Sequence, residues 1–322
     1  PIHVESVAWI AGRKDVLSLV FALLAHLAYR RARDAGGGRW VAPLLLLLGG
    51  LTKGTVWVWA GVLVLDELVE ALRARAAGTP WRWGAMIVRL LPCLLIGLGG
   101  VALDGVMAVR HGPGAVDHGV STLALAAAMA GVHIRYLFNL VVPSHLALDY
   151  GIHPDGSWAR GLAWVGLLTL LFAVGLFLLA WRRRLPVVLF GAGIWLIGLL
   201  PVNNLWPRTT VLMADRYLYI PAVGLSLILL AWLSRWRGGR NVVLVLGVLV
   251  LAILGVRRTA LFKDSETVWA DAMAHAPSSA LAFFQAGQAA AQDKRWTVAE
   301  TRAREAIRLE PRPEILVKAR LL

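Results

Sequence analysis

Long apolar runs separated by short polar segments dominate the chain up to about residue 257. A membrane-spanning helix needs roughly 20 apolar residues, with a range of about 17–25. The runs near this length are residues 16–30, 40–53, 55–71, 86–108, 121–141, 161–181, 186–204, 217–234 and 241–257. This pattern predicts an all-α polytopic membrane protein.

The composition supports the pattern. Of the 322 residues, 58% are hydrophobic and 16% charged, whereas soluble domains are about 45–50% apolar and about 25% charged. The net charge of +14 would suit a nucleic-acid binder, but the Leu-rich runs favour a membrane protein whose positive charge collects on one side. The single Cys93 excludes a disulfide framework and a cysteine zinc site. Because the chain starts at Pro1 with no Met or signal peptide, we expect it to be part of a longer protein.

Clusters of arginine predict how the chain is threaded. The positive-inside rule places all of them on the cytoplasmic side. They are Arg30, Arg31, Arg33 and Arg39, then Arg73, Arg75, Arg82 and Arg89, then Arg182, Arg183 and Arg184, then Arg235, Arg237 and Arg240. The second and third clusters must share a side, so an even number of crossings separates them.

Three apolar runs lie between those two clusters, so one of them does not cross. The run at 121–141 contains His133, Arg135, Tyr136 and Asn139, and an intramembrane charge usually faces protein or water. We therefore predict an in-plane or re-entrant helix near 121–141 and about eight spans.

The outer side then receives residues 1–15, 52–54, 109–120, 143–160 and 201–219, and everything after about residue 258. Beyond Arg258 charged residues become frequent, and residues 269–277 align with 303–311 at an offset of 34. That offset is the tetratricopeptide (TPR) period. The sequence thus predicts a transmembrane domain over 1–258 and TPR-like outer helices over 259–322, with more repeats after Leu322, since fewer than about three seldom stand alone.

Two outer segments carry the first candidate residues. Residues 1–15 contain His3, Glu5, Arg13 and Asp15, and the alternative is a solvated interface helix. Lys53 lies in a tight turn between two short runs, where it would hold a lipid phosphate as a point charge or extend to the headgroups.

Two further segments add cations. Arg135 and Tyr136 would line an entry for an anionic lipid head, or anchor their helix to the bilayer surface. In the polar stretch 201–221, Arg208 and Arg216 suggest a phosphate clamp, although the adjacent Asp215 and Arg216 could form a purely structural pair. Gly-rich phosphate loops, HExxH and GxSxG are absent from the sequence, and the isolated histidines lack ligand spacing, so no metal is predicted.

Four motifs in order resemble those of the transmembrane-and-TPR-containing O-mannosyltransferases and their bacterial relatives, which are GT-C glycosyltransferases. They are 1–15 (Pro-Ile-His-Val-Glu-Ser-Val-Ala-Trp-Ile-Ala-Gly-Arg-Lys-Asp), 51–53 (Leu-Thr-Lys), Arg135-Tyr136 with Pro143, Leu146 and Tyr150, and 214–221 (Ala-Asp-Arg-Tyr-Leu-Tyr-Ile-Pro). The resemblance covers nearly the whole chain. It implies a GT-C-like transmembrane bundle followed by a TPR repeat, a polyprenyl-phosphate sugar as donor, no cofactor, and action on the periplasmic or lumenal side.

Two departures matter. The family motif usually begins His-Pro, whereas this chain starts at the Pro. The family's catalytic carboxylate lies in the first outer loop, which we expect upstream of Pro1 together with the first spans.

The resemblance implies roles for the candidates. Arg208, Arg216, Arg135 and Lys53, in falling order, would stabilise the charge on the leaving phosphate, supported by His3, Arg13, Asp215, Tyr217 and Tyr136. Glu5 and Asp15 would be fallback bases for the acceptor hydroxyl, and would more readily orient Arg13 or the acceptor. Acceptor proteins would bind the TPR array, membrane lipid would surround the bundle, and nucleic acid is not expected. The arginine-rich composition leans towards a bacterial inner membrane rather than the endoplasmic reticulum.

Other functions remain open from the sequence. The acceptor could be a lipid or a glycan. An O-antigen ligase or polymerase would need a longer periplasmic loop. A non-enzymatic membrane-anchored TPR scaffold would not need the polar residues of 203–219.

Overall fold

The computed structural model describes residues 1–111, 120–152, 157–183, 185–204, 211–236 and 238–309. Within these ranges the regular elements are α-helices and short 3₁₀ turns, and the described part contains no β-strand. The helices are α1 Val4–Ala8, α2 Arg13–Ala35, α3 Val41–Thr52, α4 Trp59–Ala76, α5 Trp83–His111, α6 Thr122–Val141, α7 Ser157–Arg182, α8 Pro186–Leu199, α9 Pro221–Leu233, α10 Arg240–Ala260, α11 Ser265–His275, α12 Ala280–Gln292 and α13 Trp296–Leu309. The all-α prediction is confirmed.

Four segments in the described part are long and apolar enough to cross a membrane: Trp83–Ala108, Thr122–Val141, Trp164–Arg182 and Arg240–Lys263. Shorter apolar helices occupy Val41–Thr52, Pro186–Val202 and Pro221–Leu233. The protein is therefore a polytopic membrane protein, as predicted. The number of eight spans stays a prediction.

Two helices extend beyond their apolar runs, and polar residues on both helices are paired. α2 continues past residue 30 to Ala35. α4 begins at Trp59, after a 3₁₀ turn at Gly54–Val58, and continues past residue 71 to Ala76. On α4, the buried Glu67 accepts a hydrogen bond from the Tyr29 hydroxyl at 2.6 Å, and Asp66 accepts one from Arg33 at 2.8 Å. These partners on α2 compensate the cost of burying carboxylates.

Glycines allow the helices to approach closely. A Cβ at Gly50 on α3 would lie 2.0 Å from the Trp57 ring, and one at Gly100 on α5 would lie 2.2 Å from the same ring. On α8 and α9, a Cβ at Gly191 would lie 2.5 Å from the carbonyl oxygen of Gly224. Such small-residue contacts are how membrane helices gain van der Waals packing, since lipid gives them no hydrophobic drive to associate.

The helix at 121–141 is α6, which is capped by the Ser121 hydroxyl at 3.2 Å from the Ala124 amide. α6 packs closely on α7, where a Cβ at Gly166 would meet the Ala130 backbone at 2.1 Å. Asp104 on α5 accepts a hydrogen bond from the Trp57 indole at 3.1 Å, and this contact lies beside the Lys53 turn. If α6 does not cross the membrane, the C-terminal end of α5 and both ends of α6 lie on the same side. The in-plane helix itself stays a prediction.

Segments predicted to face outward come together at one end of the bundle. Residues of 1–15 contact those of 52–54 and 214–219, and residues 149–151 contact the C-terminal helices. In the C-terminal part, α12 and α13 form a helical hairpin with Phe284, Ala303 and Ala306 in its core. The boundary at 258 and the TPR assignment stay predictions.

Candidate functional site

A close turn in the first motif positions two carboxylates. A Cβ at Gly12 would lie 2.8 Å from the carbonyl oxygen of Glu5, so this glycine lets α1 fold back against the start of α2. The fold buries Glu5 and places Asp15 in the first turn of α2. A carboxylate there is stabilised by the helix dipole.

The last motif supplies a partner for Glu5. Residues Asp215–Leu218 form a 3₁₀ turn just before Pro221, which begins α9 and suits the first position of a helix. From this turn the Arg216 guanidinium donates to Glu5 Oε1 at 2.6 Å, and the Arg216 amide donates to Glu5 Oε2 at 3.2 Å. Burial outweighs this neighbouring cation and raises the pKa of Glu5 above its usual range. Arg216 thus engages both oxygens of a buried carboxylate.

A second ion pair lies beside the first. The Lys53 ammonium contacts Oδ1 of Asp15. Asp15 is buried, and the residue is only 4% exposed. Oδ2 of Asp15 has no hydrogen-bond partner among the described residues. Lys53 is near enough to Arg216 and Glu5 for their charges to act on it. Two cations and two carboxylates therefore share one end of the bundle, and one carboxylate oxygen is open to a further hydrogen bond.

A hydrogen-bond network fixes the turn that carries Arg216. The Tyr150 hydroxyl donates to Asp215 Oδ1 at 2.7 Å, and the Asn139 amide donates to the Tyr150 oxygen at 2.7 Å and to Asp215 at 3.3 Å. The buried Tyr136 hydroxyl accepts from the Ala214 amide at 3.3 Å. Burial raises the pKa of Asp215 to about 7 despite these donors. The network holds the two residues that precede Arg216, Ala214 and Asp215.

Aromatic rings surround the Arg216 guanidinium. Its carbon lies 5.7 Å from the ring centroid of Trp9 and 5.2 Å from that of Tyr217, within cation–π range. His3 packs edge-to-face on Tyr219 with 5.1 Å between centroids, and burial lowers the pKa of His3 to about 4. The His3 ring is therefore neutral at pH 7. Trp9 is 37% exposed and faces the outside of the cluster.

The structure brings most of the predicted site residues together. We call the following set the outer ion-pair cluster: Glu5, Arg216, Asp15 and Lys53, with Asp215, Tyr136, Tyr217 and His3 around them. Its members come from all four motifs, which are far apart in sequence. Their convergence was not deducible from spacing.

Three predicted residues stand apart. Arg13 is exposed, whereas the buried Glu5 and Asp15 pair with Arg216 and Lys53. That the two acids orient Arg13 or the acceptor stays a prediction. Arg135 lies over Phe138 of its own helix at 5.7 Å and has no ion pair among the described residues. Arg208 lies outside the described residues.

Sequence reasoning assigned no role to Asn139, Tyr150 or Arg258. Asn139 follows Tyr136 by three residues and so shares its helix face, which was the available signal. Tyr150 was part of a motif. Arg258 pairs with Asp271 at 3.0 Å, and its charge acts to lower the pKa of Glu5 and of Asp215. Arg258 carries no distinguishing sequence signal, because it lies at the end of an apolar helix, where arginines commonly set the topology.

In the described part of the chain no three His, Cys, Asp or Glu side chains gather as a metal site would require. Metal independence stays a prediction. The chemistry that the cluster offers is the recognition of an anion by two preorganised cations in a partly buried setting.

Comparison with known proteins finds similar sequences over most of the chain. The mouse protein O-mannosyl-transferase TMTC4 is 25% identical over 93% of this chain, the human protein O-mannosyl-transferase TMTC1 is 27% identical over 97%, and the Caenorhabditis elegans protein O-mannosyl-transferase F38B6.6 is 23% identical over 97%. The chain is similar to the TMTC protein O-mannosyl-transferases over most of its own length. The resemblance that its motifs indicated is confirmed.

The similarity has defined limits. The chain spans less than half the length of those proteins, from 41% of human TMTC1 to 46% of mouse TMTC4. No family model and no solved structure matches the chain.

Proposed function

We propose that this chain forms the donor-binding part of a membrane glycosyltransferase that moves a mannose-like sugar from a polyprenyl phosphate to Ser or Thr hydroxyls of proteins. The observation that carries the proposal is the outer ion-pair cluster, in which Arg216 and Lys53 lie side by side at the end of an apolar bundle. The names of the relatives support the sugar and the protein acceptor. The apolar bundle supports a lipid-linked donor, whose phosphate would sit where helices end.

The cluster suits the leaving group of this reaction. As the bond between the sugar C1 and the phosphate oxygen breaks, its electrons pass to that oxygen. Cations held in place before the reaction stabilise the developing charge without reorganising. Arg216 can offer planar paired N–H donors to a phosphate, while Lys53 acts as a point charge. We also propose Arg208 and Arg135 as further contacts to the donor phosphate, supplied by other segments of the chain.

The two acids have different capacities to act on the acceptor. Both oxygens of Glu5 are engaged by Arg216, so its role is to hold that cation. Oδ2 of Asp15 is buried and has no hydrogen-bond partner among the described residues, so an acceptor hydroxyl would reach it only with a local opening of the site, and Asp15 would then accept the proton. The proposal therefore ranks Asp15 above Glu5 as a base within these residues.

Donor binding tests the proposal. Polyprenyl-phosphate mannose should raise the melting temperature of the purified protein in detergent, because a ligand at 100 times its Kd stabilises by about 2.7 kcal/mol. Polyprenyl phosphate without the sugar should compete. The variant Glu5→Gln/Arg216→Gln should stay folded and lose the shift, because it removes the cation without stranding a buried carboxylate. Lys263→Ala, which changes an exposed lysine 68% accessible in its side chain, is the matched control and should keep it. Equal shifts in all three proteins would contradict the proposal.

The remaining details belong to the same proposal. We infer a GT-C-like bundle in the bacterial inner membrane, with the outer ion-pair cluster and the C-terminal TPR-like helices in the periplasm. The lumenal face of the endoplasmic reticulum is the equivalent site in a eukaryote. The C-terminal helices would hold the acceptor polypeptide.

A further inference from the structure

Three consecutive residues, Asp149, Tyr150 and Gly151, touch two parts of the molecule at once. The Tyr150 hydroxyl donates to Asp215 in the network behind Arg216, at 2.7 Å. The neighbouring Asp149 accepts a hydrogen bond from the Ser279 hydroxyl at 2.5 Å. We call residues 149–151 the outer strap, because they connect the outer ion-pair cluster to the C-terminal helices.

The contact of the strap with the C-terminal helices is tight and specific. Gly151 has φ +56°, and a Cβ there would lie 2.5 Å from the Ser279 amide nitrogen. Such a left-handed backbone favours glycine. The Gly151 carbonyl also accepts a hydrogen bond from the Ser278 hydroxyl at 3.2 Å. Any side chain at position 151 would push the two segments apart.

Ser279 is itself a structural anchor. Its hydroxyl oxygen accepts from the Ala282 amide at 3.0 Å and caps the N-terminus of α12, and the residue is fully buried. The same hydroxyl donates to Asp149. The start of α12 is therefore set against the strap, so that a displacement of α12 moves Asp149.

A second link joins the same two parts. Arg258 at the end of α10 pairs with Asp271 on α11 at 3.0 Å, with both side chains mostly buried. The charge of Arg258 also acts on Glu5 and Asp215. The C-terminal helices thus fix both a hydrogen-bond chain and a cation near the outer ion-pair cluster.

We propose that Asp149 and Tyr150 are positioning residues, which set the Asp215–Arg216 turn according to the seating of the C-terminal helices. This proposal rests on the proposed function, because the partner that the C-terminal helices would seat is the acceptor polypeptide. Acceptor binding on α11–α13 would then hold Arg216 in the geometry that stabilises the charge developing on the leaving phosphate oxygen. Donor affinity itself would depend little on the strap, since Arg216 keeps its contact with Glu5.

Substitutions on either side of one hydrogen bond test the proposal. Asp149→Ala removes the hydrogen bond between Asp149 and Ser279 and leaves the α12 cap intact, while Ser279→Ala removes that hydrogen bond and the cap. Asp149→Asn keeps an acceptor oxygen for the Ser279 hydroxyl. The matched control is Asp264→Ala, which removes the N-cap of α11, made at 2.7 Å to the Thr267 amide, without touching the strap.

Two measurements separate positioning from simple stability. The first is amide hydrogen exchange of the full chain in detergent over residues 212–219, which reports local opening and needs no activity. The second is transfer from polyprenyl-phosphate mannose to a Ser/Thr peptide, with kcat and the donor KM determined separately.

Asp149→Ala should speed exchange in 212–219 and lower kcat about tenfold, with little change in the donor KM, since small misplacements in a site cost up to about 100-fold. Asp149→Asn should restore both. Adding Ser279→Ala to Asp149→Ala should cause no further loss in kcat, because both substitutions remove the same hydrogen bond between Asp149 and Ser279. Unchanged exchange over 212–219 in Asp149→Ala, or the same changes in Asp264→Ala, would overturn the proposal. If exchange responds as expected while the wild type transfers no sugar from this donor, the strap stands and the proposed function fails.

Discussion

Arg216 makes more interactions than any other side chain of the outer ion-pair cluster. Its guanidinium and its amide both contact Glu5, while Trp9 and Tyr217 lie over its charge. Removing one partner of a buried pair leaves an uncompensated charge, whereas replacing both removes the problem. The stability and the chemistry of this residue can therefore be separated.

Arg216→Ala should lower the free energy of unfolding by about 3–5 kcal/mol, because Glu5 would remain buried without its cation. Glu5→Gln/Arg216→Gln should lose clearly less. Denaturant or thermal unfolding in detergent measures both. If the double variant were as unstable as Arg216→Ala, the pair would not be buried as described.

Asp215 should make stability depend on pH. Its pKa is raised to about 7 in the folded protein, against about 3.9 in an unfolded chain. The folded state then binds more protons than the unfolded state between these values, so the contribution of Asp215 to stability falls as pH rises from about 4 to about 7. Asp215→Asn should flatten the melting temperature over that window. An unchanged slope in this variant would assign the effect to other groups.

At the scale of elements, the Trp57 ring lies between glycines of α3 and α5. The two positions flanking it, Gly50 and Gly100, have no room for a side chain, and Trp57 is 4% exposed. Because Trp57 follows the Lys53 turn directly, this packing fixes where the turn presents its lysine. Overpacking here should therefore affect both stability and the position of Lys53.

Gly100→Ala should destabilise the protein by about 1–3 kcal/mol, as added volume does in a well-packed interior. The neighbouring Gly99→Ala is the matched control, since a Cβ at Gly99 meets nothing within 4 Å. Melting temperatures of the two variants provide the measurement. Equal changes in the two variants would contradict the Trp57 contact, because helix propensity favours Ala over Gly at both positions.

The sequence predicted most helices but not how they meet. The run at 86–108 became α5 at Trp83–His111, because apolar length determines such a helix directly. The extension of α4 to Ala76 was not predicted, because it depends on Tyr29 and Arg33 from another helix. Lys53 and Asp15 were each singled out, but their pairing across 38 residues is a tertiary contact that no local pattern encodes. The role of Tyr150 was missed for the same reason, because its hydrogen bond to Asp215 is also a tertiary contact.

At the scale of the whole molecule, most of the +14 charge is predicted to mark the cytoplasmic side. Several of those arginines are paired within the bundle, such as Arg33 with Asp66 and Arg89 with Glu67. The cations of the outer ion-pair cluster are a minority and lie where the predicted outer segments converge. The arginines predicted to set the topology are therefore different from Arg216, the arginine of the outer ion-pair cluster.

Cysteine labelling tests the threading. In a Cys93→Ser background, an impermeant thiol reagent added from outside should label Ala115→Cys and Ser144→Cys and miss Gly78→Cys. Labelling at both of the first two positions is what a helix that does not cross at 121–141 requires. Labelling at 144 without 115 would show that α6 crosses, and labelling at 78 alone would reverse the whole map.

Transfer of mannose by the purified full-length protein, which includes the first outer loop that the family resemblance implies as the source of the catalytic carboxylate, is the most direct test of the outer ion-pair cluster. Polyprenyl-phosphate mannose carrying a radiolabel is incubated with a Ser/Thr peptide and either wild type or Glu5→Gln/Arg216→Gln, with folding of the variant checked by its melting curve. The account predicts labelled peptide with wild type and none above background with the folded variant. Labelled peptide at the wild-type rate from that variant would contradict the assignment of the outer ion-pair cluster to the donor phosphate.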